Sequence, residues 1–93
     1  MRPVFNWDPA KAEANASKHG VSFEEALTVF ADPLARVFDD PEHSLDECRE
    51  IIIGHSAEHR LLLVCFVERR GALRLLSARL ASPLEREDYE ENT

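Results

Sequence analysis

Phe23, Ala26, Leu27 and Phe30 recur at i, i+3, i+4 and i+7, the spacing of a helix that buries one face. Ser22 with Glu25 three residues later forms a capping-box signature in which each side chain can satisfy the other's backbone amide, so this helix starts at Ser22. Asp32 and Pro33 stop it. Upstream, Asp8 offers an N-cap acceptor and Pro9 a preset backbone angle, which predicts a first helix from Pro9 to about His19. It is rich in alanine, and Lys11, Asn15 and Lys18 fall at i, i+4 and i+7 on one polar face. Gly20 ends it cheaply in the left-handed conformation, with Lys18 and His19 at the negative end of the helix dipole. The two helices thus meet at a tight corner with Lys18 and His19 at its elbow.

Elsewhere the pattern is that of strands. Pro3 to Trp7 reads as a short one, with Val4 on one face and Phe5 and Trp7 counted to the other. Leu34 to Phe38 is a second, followed by the polar loop DDPEHSLDE from Asp39 to Glu47. Arg49 to Gly54, Arg60 to Val67 and Leu73 to Leu80 are β-rich runs separated by GHSAEH and ERRGA. Those connections are too short for helical crossovers, so the runs should pair as antiparallel hairpins. Alternation in the last run sets Leu73, Leu75, Ser77 and Arg79 on one side and Arg74, Leu76, Ala78 and Leu80 on the other. Ser82, Pro83 and Glu85 repeat the capping signature and begin a C-terminal helix. The expected fold is α+β: two N-terminal helices, an antiparallel sheet of about four strands plus the short N-terminal strand, and a C-terminal helix. One domain is expected over residues 1–93, without repeats or linkers.

Charge changes the picture more than composition does. The net charge of −7 argues against nucleic acid, whose binding is dominated by Lys and Arg. Yet Ser82 to Thr93 holds five acids (Glu85, Glu87, Asp88, Glu90, Glu91) against Arg86, and ten of the eleven Lys and Arg lie in the rest of the chain. A basic cleft therefore remains compatible with the acidic total. No apolar run of about 18 residues and no hydrophobic signal region in MRPVFNWDPAK is present, which predicts a cytoplasmic protein without membrane contact. Cys48 and Cys65 lack CxxC spacing and read as reduced core residues.

Candidate chemistry is sparse. His55 and His59 sit in an apparent hairpin turn and His43 and Glu47 in the long loop, none with the company a metal site needs. No phosphate-cradling glycine loop or GxSxG setting exists. What remains is a set of cations and proton carriers at element ends: Lys18 and His19, His43, Arg49, Arg69, Arg79, and Glu85, Arg86 and Tyr89 in the final helix, where Glu85 and Tyr89 share a face. Metal-free RNA cleavage needs such groups, a base for the 2′-hydroxyl, a cation for the phosphate and an acid for the leaving oxygen. Each also has a structural reading. Arg49, Arg69 and Arg79 can pair with acids on the sheet, Tyr89 can anchor the last helix, His19 can serve the dipole and Glu85 the cap.

The stretch FNWDPAKAEANASKHGVSFEEALTVFADP, then Asp40, His43, Ser44, Glu47, Arg49 and Gly54, then LLSARLASPLEREDYE from Leu75 to Glu90, resembles the BrnT family of toxins over nearly the whole chain. The resemblance implies a ribonuclease toxin of a type II toxin–antitoxin pair with a RelE-like fold. It implies a BrnA-like antitoxin that forms a heterotetramer through its own dimerisation and alone contacts operator DNA. It also implies cleavage without metal or cofactor by a variable set of Arg, Lys, His, Tyr or Glu. On that basis Lys18, His19, Arg49, Arg79, Glu85 and Tyr89 are the expected catalytic residues and Lys11, His43, Arg69 and Arg86 the expected RNA-binding ones. Arg79 leads, since an arginine ending the last strand would face a phosphate bound over the sheet. An antitoxin helix is expected in a basic groove near Lys18 and Arg79, and the acidic tail should lie away from the cleft unless the ribosome presents the RNA. Two other readings stay open: a catalytically inactive module that only engages its antitoxin and modulates operon binding, and a small metal-dependent enzyme using the histidines.

Overall fold

The computed structural model describes residues 4–40 and 49–91; the expectations for Pro3, His43, Ser44, Glu47 and Cys48 lie outside them. The elements run β1 (Val4–Asn6), α1 (Pro9–His19), α2 (Phe23–Leu27), a 3₁₀ turn (Thr28–Ala31), β2 (Arg36–Asp39), β3 (Arg49–His55), β4 (Leu61–Arg69), β5 (Ala72–Leu80) and α3 (Pro83–Glu91). The architecture is α+β.

Local backbone chemistry sets the helix ends. Asp8 Oδ1 accepts from the Ala10 amide at 2.9 Å, and Gly20 takes φ 68° while its amide closes on the Ala16 carbonyl. Ser22 Oγ accepts from the Glu25 amide at 3.0 Å. The expected return bond from Glu25 to the Ser22 amide is replaced: the Glu25 carboxylate turns inward to Arg60 and Ser56. The second helix is also shorter than its stripe suggests. Past Leu27 the chain tightens into the 3₁₀ turn, closed by the Asp32 amide on the Val29 carbonyl at 3.0 Å.

The sheet order is β1-β5-β4-β3-β2. β2 to β5 pair antiparallel as expected, whereas β1 joins β5 in parallel and makes the sheet mixed. One face carries Ile52, Leu62, Val64, Phe66, Leu75 and Ala78 and is covered by Val21, Phe23, Ala26 and Val29. Burial of this apolar surface is the main stabilising contribution.

Two departures from simple periodicity decide what the other face holds. First, Cys65 pairs with Ser77 while the next residue, Phe66, pairs with Leu75, so Leu76 is an extra residue in β5. The bulge reverses the alternation. Leu75 stays under the helices, and Ser77 and Arg79, expected beside it, emerge on the opposite face. Second, Asn15 does not share an exposed face with Lys11 and Lys18; it is buried. β1 pairs with β5 only as far as Arg74, and beyond it Asn15 serves as a surrogate strand. Its Nδ2 donates to the Val21 and Ala78 carbonyls at 2.9 and 2.8 Å, and its Oδ1 accepts from the Ala78 amide at 3.0 Å. The buried edge of β5 is thereby satisfied.

Candidate active site

The uncovered face forms a groove of about 610 Å³ between the sheet and α3. Its floor follows from register. Arg36, Ile53, Leu63 and Arg79 form one rung across four strands, and Phe38, Ile51, Cys65 and Ser77 form the next. All eight line the groove. A cation therefore stands at each end of the first rung, three strand spacings or about 14 Å apart. Cys65, expected in the core, is a free thiol on this floor.

α3 forms the wall through Glu85, Asp88 and Tyr89. Here the capping box is complete: the Glu85 amide donates to Ser82 Oγ at 3.2 Å and the Ser82 amide to Glu85 Oε1 at 2.8 Å. The same carboxylate holds Arg79 in a bidentate pair, Nη1 to Oε1 at 2.8 Å and Nη2 to Oε2 at 2.9 Å. The Arg79 bonds, helped by the Ser82 amide and opposed by partial burial, bring the Glu85 carboxyl down to about 2. Glu85 is thus ionised at neutral pH and acts as the brace of Arg79.

Tyr89 is buried on Ile53 and Leu61. Its hydroxyl donates to Asp32 Oδ2 at 3.3 Å, and the ring meets the edge of His55 with centroids 5.5 Å apart. Burial, then the Asp32 carboxylate, push the phenol above its ordinary value, so it stays protonated. Asp32 also accepts from the His55 and Leu34 amides at 2.7 and 2.9 Å; these bonds outweigh burial and keep its carboxyl low. Gly54 leaves room for this junction, since a Cβ there would lie 2.8 Å from that of Ala35 and 3.0 Å from Asp32 Oδ2.

The model of the family described as "Ribonuclease toxin, BrnT, of type II toxin-antitoxin system" matches residues 7–85. The chain belongs to the BrnT family. The crystal structure of the Brucella abortus ribonuclease toxin BrnT is similar to it, with TM-score 0.69 and 27% identity over 87% of this chain and 99% of that one. A comparison with curated proteins finds no match.

Of the residues expected to act in this BrnT-family chain, Arg79, Glu85 and Tyr89 meet in the groove. Lys11, Lys18 and His19 belong to the helical layer on the other side of the sheet and do not line it. Among the described residues Lys18 and Arg79 do not line one groove, because the bulge sends Arg79 away from the helices. Arg49 opens β3 one rung beyond Ile51, its Nε buried without a hydrogen-bond partner among the described residues. Arg69 ends β4 at the hairpin tip, and Arg86 is exposed on α3 with Glu90 3.9 Å away. The acidic helix does not lie apart from the cleft, since Glu85 and Asp88 line it. Among the described residues no group of three His, Cys, Asp or Glu is placed to hold a metal ion, and no helix is long and apolar enough to cross a membrane.

Arg36, Phe38, Asp32, Asp40 and Asp88 belong to the groove or its junction without being among the expected site residues. Arg36 and Phe38 carried a signal in their i, i+2 spacing on a strand. Asp32 carried none beyond its helix-stop role, because its partners are 23 and 57 residues away.

Proposed function

We propose that this protein cleaves RNA in the groove without a metal ion, as the toxin of a type II pair. The observation that carries the proposal is the delivery of Arg79, braced by Glu85, to an open face beside a protonated Tyr89. In RelE-like metal-free cleavage, a base takes the proton of a ribose 2′-hydroxyl, the 2′-oxygen attacks the adjacent phosphorus, and the bond to the 5′-oxygen breaks. The products are a 2′,3′-cyclic phosphate and a 5′-hydroxyl. Arg79 would hold the charge that develops on the phosphate. Tyr89 would supply a proton to the leaving oxygen by releasing its hydrogen bond to Asp32, and Asp40 and Asp88, the groove carboxylates other than Glu85, would accept the 2′-hydroxyl proton. Lys18 and His19 are explained by the helix end they occupy.

Loss of RNA would inhibit translation in the cytoplasm, and a BrnA-like antitoxin, dimeric and so pairing two toxins, would neutralise the protein by covering the groove and carry the complex to operator DNA. The inactive-module reading draws on one observation: both terminal nitrogens of Arg79 are already engaged by Glu85.

The test is incubation of labelled single-stranded RNA with antitoxin-free protein in chelator, with and without translating ribosomes. Wild type should cut, and Arg79→Ala should cut about 100-fold more slowly. Intact RNA in every wild-type lane would favour the inactive module.

A further inference from the structure

β2 is an edge strand, with β3 on one side and no strand on the other among the described residues. Its groove-facing positions are Arg36 and Phe38, two residues apart and hence about 7 Å along the strand. Phe38 is 49% exposed and lines the groove. Among the described residues it takes part in no ring pair, whereas Phe5, Phe30, Phe66, Trp7 and Phe23 all do. Arg36 makes no hydrogen bond or ion pair among the described residues, unlike Arg79 at the other end of its rung. It lies near enough to Tyr89 to oppose the rise of the phenol's pKa. An unengaged guanidinium and an open aromatic face on alternate positions of one strand match single-stranded nucleic acid, which offers phosphates to cations and bases to rings.

We propose that β2 is the substrate ledge of the groove: Phe38 stacks a nucleobase of single-stranded RNA while Arg36 pairs with a phosphate of the same strand. The assignment rests on the ribonuclease reading and names the part of the substrate that each residue holds. Glu85 is paired with Arg79, whereas Arg36 is a groove arginine held by no carboxylate among the described residues and so can turn to a phosphate at the β2 edge. The spacing also suits one nucleotide, because a base and its phosphate fit within two strand residues. Stacking accepts any base, so Phe38 would set affinity and register and leave sequence preference to other contacts.

The experiment measures binding of a short single-stranded 2′-O-methyl RNA, which lacks the 2′-hydroxyl and cannot be cut, to the full chain without antitoxin. Phe38→Ala and Phe38→Leu should weaken binding roughly tenfold to a hundredfold, and Phe38→Trp should retain it, with the introduced indole quenched on binding. Arg36→Ala should weaken binding and lower the slope of log affinity against log salt by about 0.7, the contribution of one phosphate. Thermal melts check that each variant is folded. Equal binding by wild type and Phe38→Ala would overturn the ledge, and continued cleavage of ordinary RNA would then leave the ribonuclease reading intact. No binding and no cleavage by wild type would remove both. Loss of antitoxin capture by Phe38→Ala with RNA binding unchanged would make β2 a protein-facing edge and overturn the proposal as well.

Discussion

Among the described residues Ser-X-X-Glu starts a helix twice, at Ser22–Glu25 and at Ser82–Glu85, and the two copies end in different places. Each serine caps its helix, and each glutamate pairs with an arginine. Glu25 leaves its capping box, is buried, and is consumed by Arg60 and Ser56 across the structure. Glu85 keeps its box and presents Arg79 to an open groove. An identical local signature therefore builds a structural joint on the covered side of the molecule and an adjustable charge on the other. Position relative to the sheet, and not the signature, decides which.

The comparison is sharpened first by removing each acid. Glu25→Ala takes the acceptor from the buried Ser56 hydroxyl, leaves Arg60 only the Gly20 carbonyl and opens a hole where a buried side chain stood, and should cost about 3 kcal/mol of unfolding free energy by denaturant titration. RNA cleavage should persist wherever the variant remains folded. Asn15→Ala comes next, at about 2 kcal/mol, because two carbonyls and an amide lose their partner; cleavage should also fall, since Ala78 sits between Ser77 and Arg79. Glu85→Gln should cost about 1 kcal/mol at neutral pH after allowance for solvent screening, while slowing cleavage by loosening Arg79.

Its pH dependence follows from the sign of the shift. With the folded carboxyl near 2 against an ordinary 4.5, the stabilisation is whole above about 4.5 and is lost as pH falls towards 2. Acid unfolding over that window should be less steep in Glu85→Gln than in wild type. Arg86→Ala should be the mildest change, within about 0.5 kcal/mol, as its 3.9 Å contact with Glu90 is exposed.

Asp8, Pro9, Gly20, Ser22 and Ser82 were legible because capping chemistry spans two to four residues. The hairpins were legible for the same reason. The face of Arg79 was not, because the bulge at Leu76 exists only in the pairing of β5 with β4. Nor was the fate of Glu25, whose partner Arg60 lies 35 residues on, or the burial of Asn15, which answers a gap left where β1 ends. Much of the family motif around Lys18 and His19 proves to be architecture: Asn15, Gly20, Val21, Ser22, Phe23 and Glu25 are each used inside the fold. Arg36 and Phe38 became candidates only once register put them opposite Arg79 and Ser77.

The central claim is that the groove, and not the helix corner, performs the chemistry. Single-turnover cleavage of a labelled RNA by the double variant Lys18→Ala with His19→Ala, beside Arg79→Ala, tests it most directly. The corner variant should stay within about twofold of wild type while Arg79→Ala falls about 100-fold. A corner variant that loses cleavage, with Arg79→Ala still active, would contradict the account.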